Sequence, residues 1–254
     1  MQLVGQKVSH AKFGKGVVSE HNGNVVIVDF AGEQKKFSYP GAFKKFLKLE
    51  DEDKQEAITE KFDELMEERK VEKLKVQKQK EREIHLRSIK VLPESQGAFN
   101  VSEAEAADVV KGGEIHTGVY VSGKSKGEPR VPKKLRPNSA CIITCVPEGG
   151  KEADRYIAGI FMVEEDFYGK DALDGAIRGH EKYRLAMPEG SRVSFWKYFG
   201  HSMKQARWGS VDFKYVNNYD VKEMLEDARH VFAGTEKEAL YRDFNEYFMM
   251  INHF

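Results

Sequence analysis

Residues 118–125 read Gly-Val-Tyr-Val-Ser-Gly-Lys-Ser and match, letter for letter, the phosphate-binding pattern G-x-x-x-x-G-K-[ST]. In such a loop small residues let backbone amides close on phosphates, a lysine neutralises them, and a hydroxyl holds magnesium. The surroundings oppose that chemistry. Val119, Tyr120 and Val121 are bulky strand formers where small residues are needed, and Gly127, Pro129 and Pro132 preclude an immediately following helix. The segment reads better as a strand from Gly118 to Ser122 that enters a basic hairpin loop ending at Gly127. A nucleotide-binding enzyme using Gly118, Gly123, Lys124 and Ser125 stands as the alternative.

The other reactive side chains form no catalytic or metal set. Cys141 and Cys145 lie in the run ACIITCV. On a strand they share a face with Cα atoms ~13 Å apart, too far for a disulfide or a common zinc, so buried, inert thiols are expected. None of the eight histidines has metal-ligand spacing; His180 and His201 are each alone among basic and aromatic residues. Glu164, Glu165, Asp166, Asp171 and Asp174 make an acidic stretch without a nuclease pattern, and no Ser-His-Asp or Cys-His set stands out. The sequence gives positive support to neither catalysis, a metal nor a cofactor.

Bases and acids number 41 each, so the formal net charge is zero. That zero is a sum of unlike parts. Residues 1–49 carry eight lysines and three acids, residues 50–68 ten acids and two lysines, and residues 69–90 nine bases and three acids. Further on, residues 111–136 hold seven bases and two acids, 148–174 eight acids and three bases, 178–214 eight bases and three acids, and 220–246 eight acids and four bases. A polyanion meets a local surface, so the blocks matter more than their sum. The first basic block contains Lys124, Lys126 and Arg130. The second is interleaved with Phe195, Trp196, Tyr198, Phe199 and Trp208, and exposed cations and rings together bind nucleic acid through phosphates and bases. The plain alternative is that the rings are core and each basic block pairs with an acidic one.

The elements that would position these residues fall into three segments: 1–49, 50–92 and 93–254. The first reads as short strands at residues 6–10, 16–20, 25–30 and 34–37, with Asn22-Gly23 as a hairpin signal. Val26, Val28 and Phe30 share a strand face and are expected to pack with Val8, Phe13, Val17 and Phe37 in a small barrel. Gly14 and Gly16 flank Lys15 at a sharp bend, where the lack of a Cβ permits unusual backbone angles. Residues 51–89 contain neither Pro nor Gly and predict one long helix, acidic at its start and basic at its end in accord with the helix dipole. A straight helix of about 37 residues spans roughly 55 Å. Its stripe of Ile58, Phe62 and Leu65 is interrupted at Arg69 and Glu72, which favours a solvated spacer docked by its first half over a dimerising coiled coil.

In 93–254, strands are expected at 118–122, 140–146, 155–163, 191–198 and 211–216, and helices at 102–110, 172–178, 221–231 and 236–251. Ser102 and Glu105 fit a capping box. The last helix places Leu240, Tyr241, Phe244, Tyr247, Phe248 and Ile251 on one stripe. A strand over 194–198 would set Phe195 and Trp196 on opposite faces. The expected class is multi-domain β and α+β, with a mixed or antiparallel sheet in the third segment. The longest apolar runs, 140–146 and 157–163, fall far short of the ~20 residues that cross a bilayer. The N-terminal stretch lacks the features of a secretory signal, which sets a cytoplasmic, reducing compartment as the expectation.

Val8, His10, Phe13, Gly14, Gly16 and Val17, with Val28, Phe30, Gly32, Lys36 and Phe37, resemble the Tudor-like, SH3-type domain at the C-terminus of bacterial UvrD/PcrA repair helicases, and more loosely the polymerase-binding domain of CarD-type regulators. The resemblance covers about a fifth of the chain. It implies a barrel that docks on RNA polymerase or a repair protein or contacts nucleic acid, with His10, Lys12, Lys15, Lys35 and Lys36 as its partner surface. The runs RYIAGIFMVEEDF and SRVSFWKYF, followed by Trp208, resemble PUA-like barrels of the ASCH, EVE and YTH group. That likeness implies an aromatic-lined pocket for a base, with Trp196, Tyr198 and Trp208 as its rings and Lys124, Lys126 and Arg130 as backbone contacts. The combined expectation is a non-enzymatic bacterial adaptor to nucleic acid or to the transcription and repair machinery, without a membrane partner. A structural protein that dimerises through residues 51–90 is the third reading.

Overall fold

A computed structural model describes residues 2–200 and 207–254; His201 lies outside the described residues. The chain divides into two units, Met1–Glu81 and Arg82–Phe254.

The smaller unit contains β1 (Lys7–His10), β2 (Gly14–Asn22), β3 (Val25–Phe30), β4 (Glu33–Ser38), α1 (Gly41–Lys45), β5 (Leu47–Leu49) and most of α2 (Glu52–Ser88). Its strands form one curled antiparallel sheet in the order β4-β3-β2-β1-β5. Asn22 pairs with Val25, which leaves Gly23 and Asn24 as a two-residue turn, the shortest link for strands of this twist. Val8, Val18, Val26, Val28 and Phe30 are buried with Phe43, Leu47, Leu49 and Ile58. Val18, not the expected Val17, enters this core. The β2–β3 register shifts between Val18 and Glu20, and Val17 is left 43% exposed.

The start of α2 belongs to the same core. Ile58 is fully buried, and the Gln55 side chain donates to Phe43 O at 2.9 Å while accepting the Leu49 amide at 2.9 Å. Beyond Leu65 the side chains of residues 66–81 are exposed. Met66 and Leu74 lie on one face of the helix, but Lys70, Lys73 and Gln77 share that face and Val76 lies off it, so this stretch carries no continuous apolar seam.

The larger unit contains β6 (Gln96–Asn100), α3 (Glu103–Gly112), β7 (Glu114–His116), β8 (Ala140–Cys145), β9 (Tyr156–Val163), β10 (Ala176–Ala186), β11 (Val193–Ser194), α4 (Phe195–Phe199), β12 (Phe213–Val216), α5 (Asn218–Phe232) and α6 (Glu238–Ile251). The mixed sheet runs β12-β6-β8-β9-β10-β7, with β11 beside β9; among the described residues only the β6–β8 pair is parallel. The class is mixed β and α+β. Both sheet faces are covered, which explains the unbroken apolar run of β8. Ala140 and Ile142 face the core built with α4, α5 and α6, while Cys141, Ile143 and Cys145 face the core built with α3. No helix among the described residues is long and apolar enough to cross a membrane.

Three expected elements change type, one of them the strand at 118–122, which is an irregular hairpin arm. The helix expected at 172–178 is a turn followed by β10, because residues from Ala176 pair with β7 and then β9 on the sheet. The strand expected at 191–198 is strand only at Val193–Ser194 and then turns into α4. Phe195, Tyr198 and Phe199 point inward together at helical spacing, so the two-faced arrangement of Phe195 and Trp196 does not arise.

Candidate nucleic-acid interface

The phosphate-loop-like segment forms an irregular hairpin. The Tyr120 amide donates to Glu128 O at 3.0 Å, Gly127 N–H donates to Tyr120 O at 2.9 Å, and Arg130 N–H donates to Gly118 O at 2.9 Å. Strand pairing is confined to one bridge between Val119 and Pro129, so the expected strand from Gly118 is a hairpin arm. Thr117 fixes the base, its amide donating to Gly175 O at 3.0 Å and its hydroxyl donating to Arg130 O. Lys124 and Lys126 are exposed at the tip. Turns rather than a helix follow Ser125, so no helix N-terminus presents amides to a phosphate there, and the nucleotide-loop geometry is absent.

Behind the tip the hairpin is braced by cations set against rings. The Arg130 guanidinium lies 5.9 Å from the ring centroids of both Tyr120 and Phe213, and its Nη1 donates to Phe213 O at 3.1 Å. Lys134 Nζ lies 5.0 Å from the Tyr215 ring and pairs with Glu94 at 2.7 Å. The Tyr215 hydroxyl accepts the Lys134 amide at 3.3 Å, and burial pushes its pKa up. Tyr120 is the exposed end of this series, at 40%.

The two basic blocks differ in what they face. In the second, Lys182 pairs with Asp243 at 2.8 Å, Lys197 with Asp227 at 2.5 Å, Arg192 with Glu103 at 3.6 Å, and His180 Nε2 lies 3.4 Å from Glu165. Hydrogen bonds to these carboxylates raise the pKa of Lys182 and Lys197. Arg184 is spent on the backbone carbonyls of Lys111, Gly179 and His180. In the first block, Lys134 pairs with Glu94, and Lys124, Lys126 and Lys133 make no ion pair among the described residues.

Of the three rings expected to stack on bases, Tyr198 and Trp208 are buried inside the larger unit and Trp196 is half-buried. Tyr198 is 3% and Trp208 2% exposed; the Tyr198 hydroxyl donates to Asp227 at 2.9 Å, and Trp208 Nε1 donates to Val211 O at 2.5 Å. Arg155, itself buried and paired with Glu152, covers Trp208 at 4.5 Å, and Lys214 lies over the ring at 5.1 Å. Trp196 is half-buried, its Nε1 donating to Glu152 O at 2.7 Å and its ring edge-on to Phe195. Neither Tyr198 nor Trp208 can present an open face to a base, because the α4 turn and the sheet enclose them.

On the smaller unit, His10 Nδ1 accepts the amides of Lys12 and Phe13 at 3.0 and 3.3 Å, which closes the β1–β2 turn. The His10 ring stacks on Phe13 at 4.7 Å and lies 5.6 Å from Phe37 and 6.3 Å from Phe46. Phe46 is 58% exposed, a large surface ring that no pattern in the sequence singles out. Lys12 and Lys35 lie over Phe13 at 5.7 and 5.4 Å. Lys36 points to the other face of β4, opposite Ile27, and Lys15 lies beside Ser9 near Glu50 at 3.9 Å. Of the expected partner surface, His10, Lys12 and Lys35 are therefore brought together, and Lys15 and Lys36 are set apart.

Of the acidic stretch, Glu165 is the residue held in a network. It binds Arg82 through two hydrogen bonds, accepts from Tyr247 at 3.3 Å and faces His180. Desolvation pushes its pKa up, but the hydrogen bonds and charge of Arg82 outweigh that, and the carboxyl sits below its ordinary range. Among the described residues no group of three or more His, Cys, Asp or Glu is placed to hold a metal. Cys141 and Cys145 are free, buried thiols whose pKa is pushed up by burial. No family model matches the chain, and no curated protein matches it.

Proposed function

We propose that the chain is a non-enzymatic adaptor in which the larger unit, a PUA-like domain, binds nucleic acid and the smaller, a Tudor-like barrel, meets a protein of the bacterial transcription or repair machinery. One observation carries the nucleic-acid reading: Lys124 and Lys126 stand exposed together at one hairpin tip and, like Lys133, have no ion-pair partner among the described residues, whereas Lys182, Arg192 and Lys197 of the second basic block are paired with acids of their own unit. A surface with unmatched cations attracts polyanions, and a matched one does not. On the barrel, Phe46 beside His10, with Lys45 and Lys48 exposed nearby, supplies an apolar anchor with a basic rim, the composition of a protein-docking surface.

The test is a salt titration of binding to a labelled single-stranded oligonucleotide, read by fluorescence anisotropy. Removing one phosphate-neutralising cation lowers the slope of log K against log salt by ~0.7 on a single strand, so Lys124→Ala with Lys126→Ala is expected to lower it by ~1.4. Lys182→Ala with Lys197→Ala, which removes only cations already paired, is expected to leave the slope as it was. No binding, or equal slopes for parent and the hairpin double variant, would reject the reading.

A further inference from the structure

The hairpin that carries the unmatched lysines also carries an open ring. Tyr120 is 40% exposed, whereas Tyr198, Trp208 and Phe213 are 2–3% exposed. Its backbone is fixed on both sides, the amide donating to Glu128 O and the carbonyl accepting from Gly127. Arg130 lies against the ring at 5.9 Å, anchored in turn to the Phe213 carbonyl and packed against the Phe213 ring. Phe213 itself is buried in the sheet core. The ring is thus held by a chain of contacts that ends in the core, and it remains accessible to solvent.

We infer that Tyr120 is a stacking platform for one unpaired nucleobase, with Lys124 and Lys126 on the phosphates that flank it. The inference rests on the nucleic-acid reading of the hairpin and adds to it the class of ligand, single-stranded nucleic acid. A base inside a duplex has both faces covered by its neighbours, so a single ring on a hairpin finds an open face only where the strand is unpaired. Arg130 reinforces the site, since its charge lies against the tyrosine π-face and adds positive potential where the nucleotide approaches. Every base has a π-face, so the site tolerates sequence; Val119 and Val121, 48% and 51% exposed, provide an apolar border without hydrogen-bonding groups to read a base edge.

The experiment uses the full chain with two probes, a short single strand containing 2-aminopurine and the same strand in a fully paired duplex. Stacking on Tyr120 quenches 2-aminopurine in the single strand. Tyr120→Ala is expected to abolish the quenching and weaken single-strand binding roughly 5- to 100-fold while leaving the salt slope unchanged, and Tyr120→Phe is expected to retain both. Duplex affinity is expected to be the same in all three proteins. If Tyr120→Ala binds the single strand like the parent while the Lys124/Lys126 double variant still lowers the salt slope, the hairpin touches phosphates only and the stacking inference falls alone. If neither variant changes binding, the nucleic-acid reading falls with it.

Discussion

Gly14 and Gly16 sit two residues apart at the start of β2, and the structure requires each for a different reason. Gly14 has φ +73° and open space around its missing Cβ. Gly16 has no such backbone angle, but a Cβ there would lie 2.6 Å from Asp29 O and 2.7 Å from Phe30 Cδ1. Asp29 O belongs to β3 and Phe30 is buried, so neither can step aside cheaply. Gly14→Ala therefore costs about 1–2 kcal/mol for a left-handed residue, and Gly16→Ala about 1–3 kcal/mol for overpacking. Asparagine separates the two causes, because it tolerates the left-handed region yet carries a larger side chain than alanine. Hydrogen exchange at the Val26 and Val28 amides reads the smaller unit directly, with each 1.4 kcal/mol speeding exchange about tenfold. Gly14→Ala is expected to speed it roughly 5- to 30-fold and Gly14→Asn only a few-fold, while Gly16→Asn is expected to exceed Gly16→Ala. Equal tolerance of asparagine at both positions would refute the steric account of Gly16.

Two further outcomes concern the larger unit. His180 is held below its ordinary pKa by desolvation, partly offset by Glu165, and Glu165 is held below the carboxylate range chiefly by Arg82 against its own desolvation. In both cases the unfolded chain takes up the proton first, so stability is lost as pH falls, from about 6.5 downward for His180 and below about 4.3 for Glu165. Chemical denaturation across that range is expected to show a flatter upper acid limb in His180→Gln and a flatter lower limb in Glu165→Gln; limbs unchanged from the parent would contradict the network. Cys141 and Cys145 are 0% exposed, so a thiol reagent is expected to label neither in the native protein and both at the rate at which the larger unit opens. Rapid labelling before unfolding would overturn their burial.

Period-two and heptad-like patterns transmitted well from sequence to structure. The face of Val26, Val28 and Phe30, the long helix with its docked Ile58, and the inward stripe of α6 were all visible because burial repeats at the period of the element. What depends on pairing was not visible. Residues 172–178 read as helix by composition, yet the available edges of β7 and β9 draw Ala176 onward into the sheet. Gly16 reads like Gly14 because sequence does not say that the β3 carbonyl and the Phe30 ring close over it. Sequence leaves Trp208 and Tyr198 open between core and base-stacking roles because their neighbours are basic, and in the structure Arg155 and Lys214 lie across Trp208 and Asp227 takes the Tyr198 hydroxyl.

The charge blocks show the same division between what spacing fixes and what pairing decides. Their positions are plain in the sequence, and their consequences turn on which acids lie within reach. The acids of residues 220–246 come from α5, α6 and their link, where Asp227 and Asp243 meet Lys197 and Lys182 and neutralise those two cations of the second basic block. Lys124 and Lys126 stand on a hairpin held by backbone hydrogen bonds and a bridge to Pro129, which lifts them away from such partners. Pairing inside the fold thus lowers the free positive charge of the second basic block, in which Arg178 and Arg207 remain exposed. Lys124 and Lys126 share the thirteen-residue span 118–130 with the exposed ring of Tyr120, and on the proposed reading that span joins attraction for phosphate to an open face for a base.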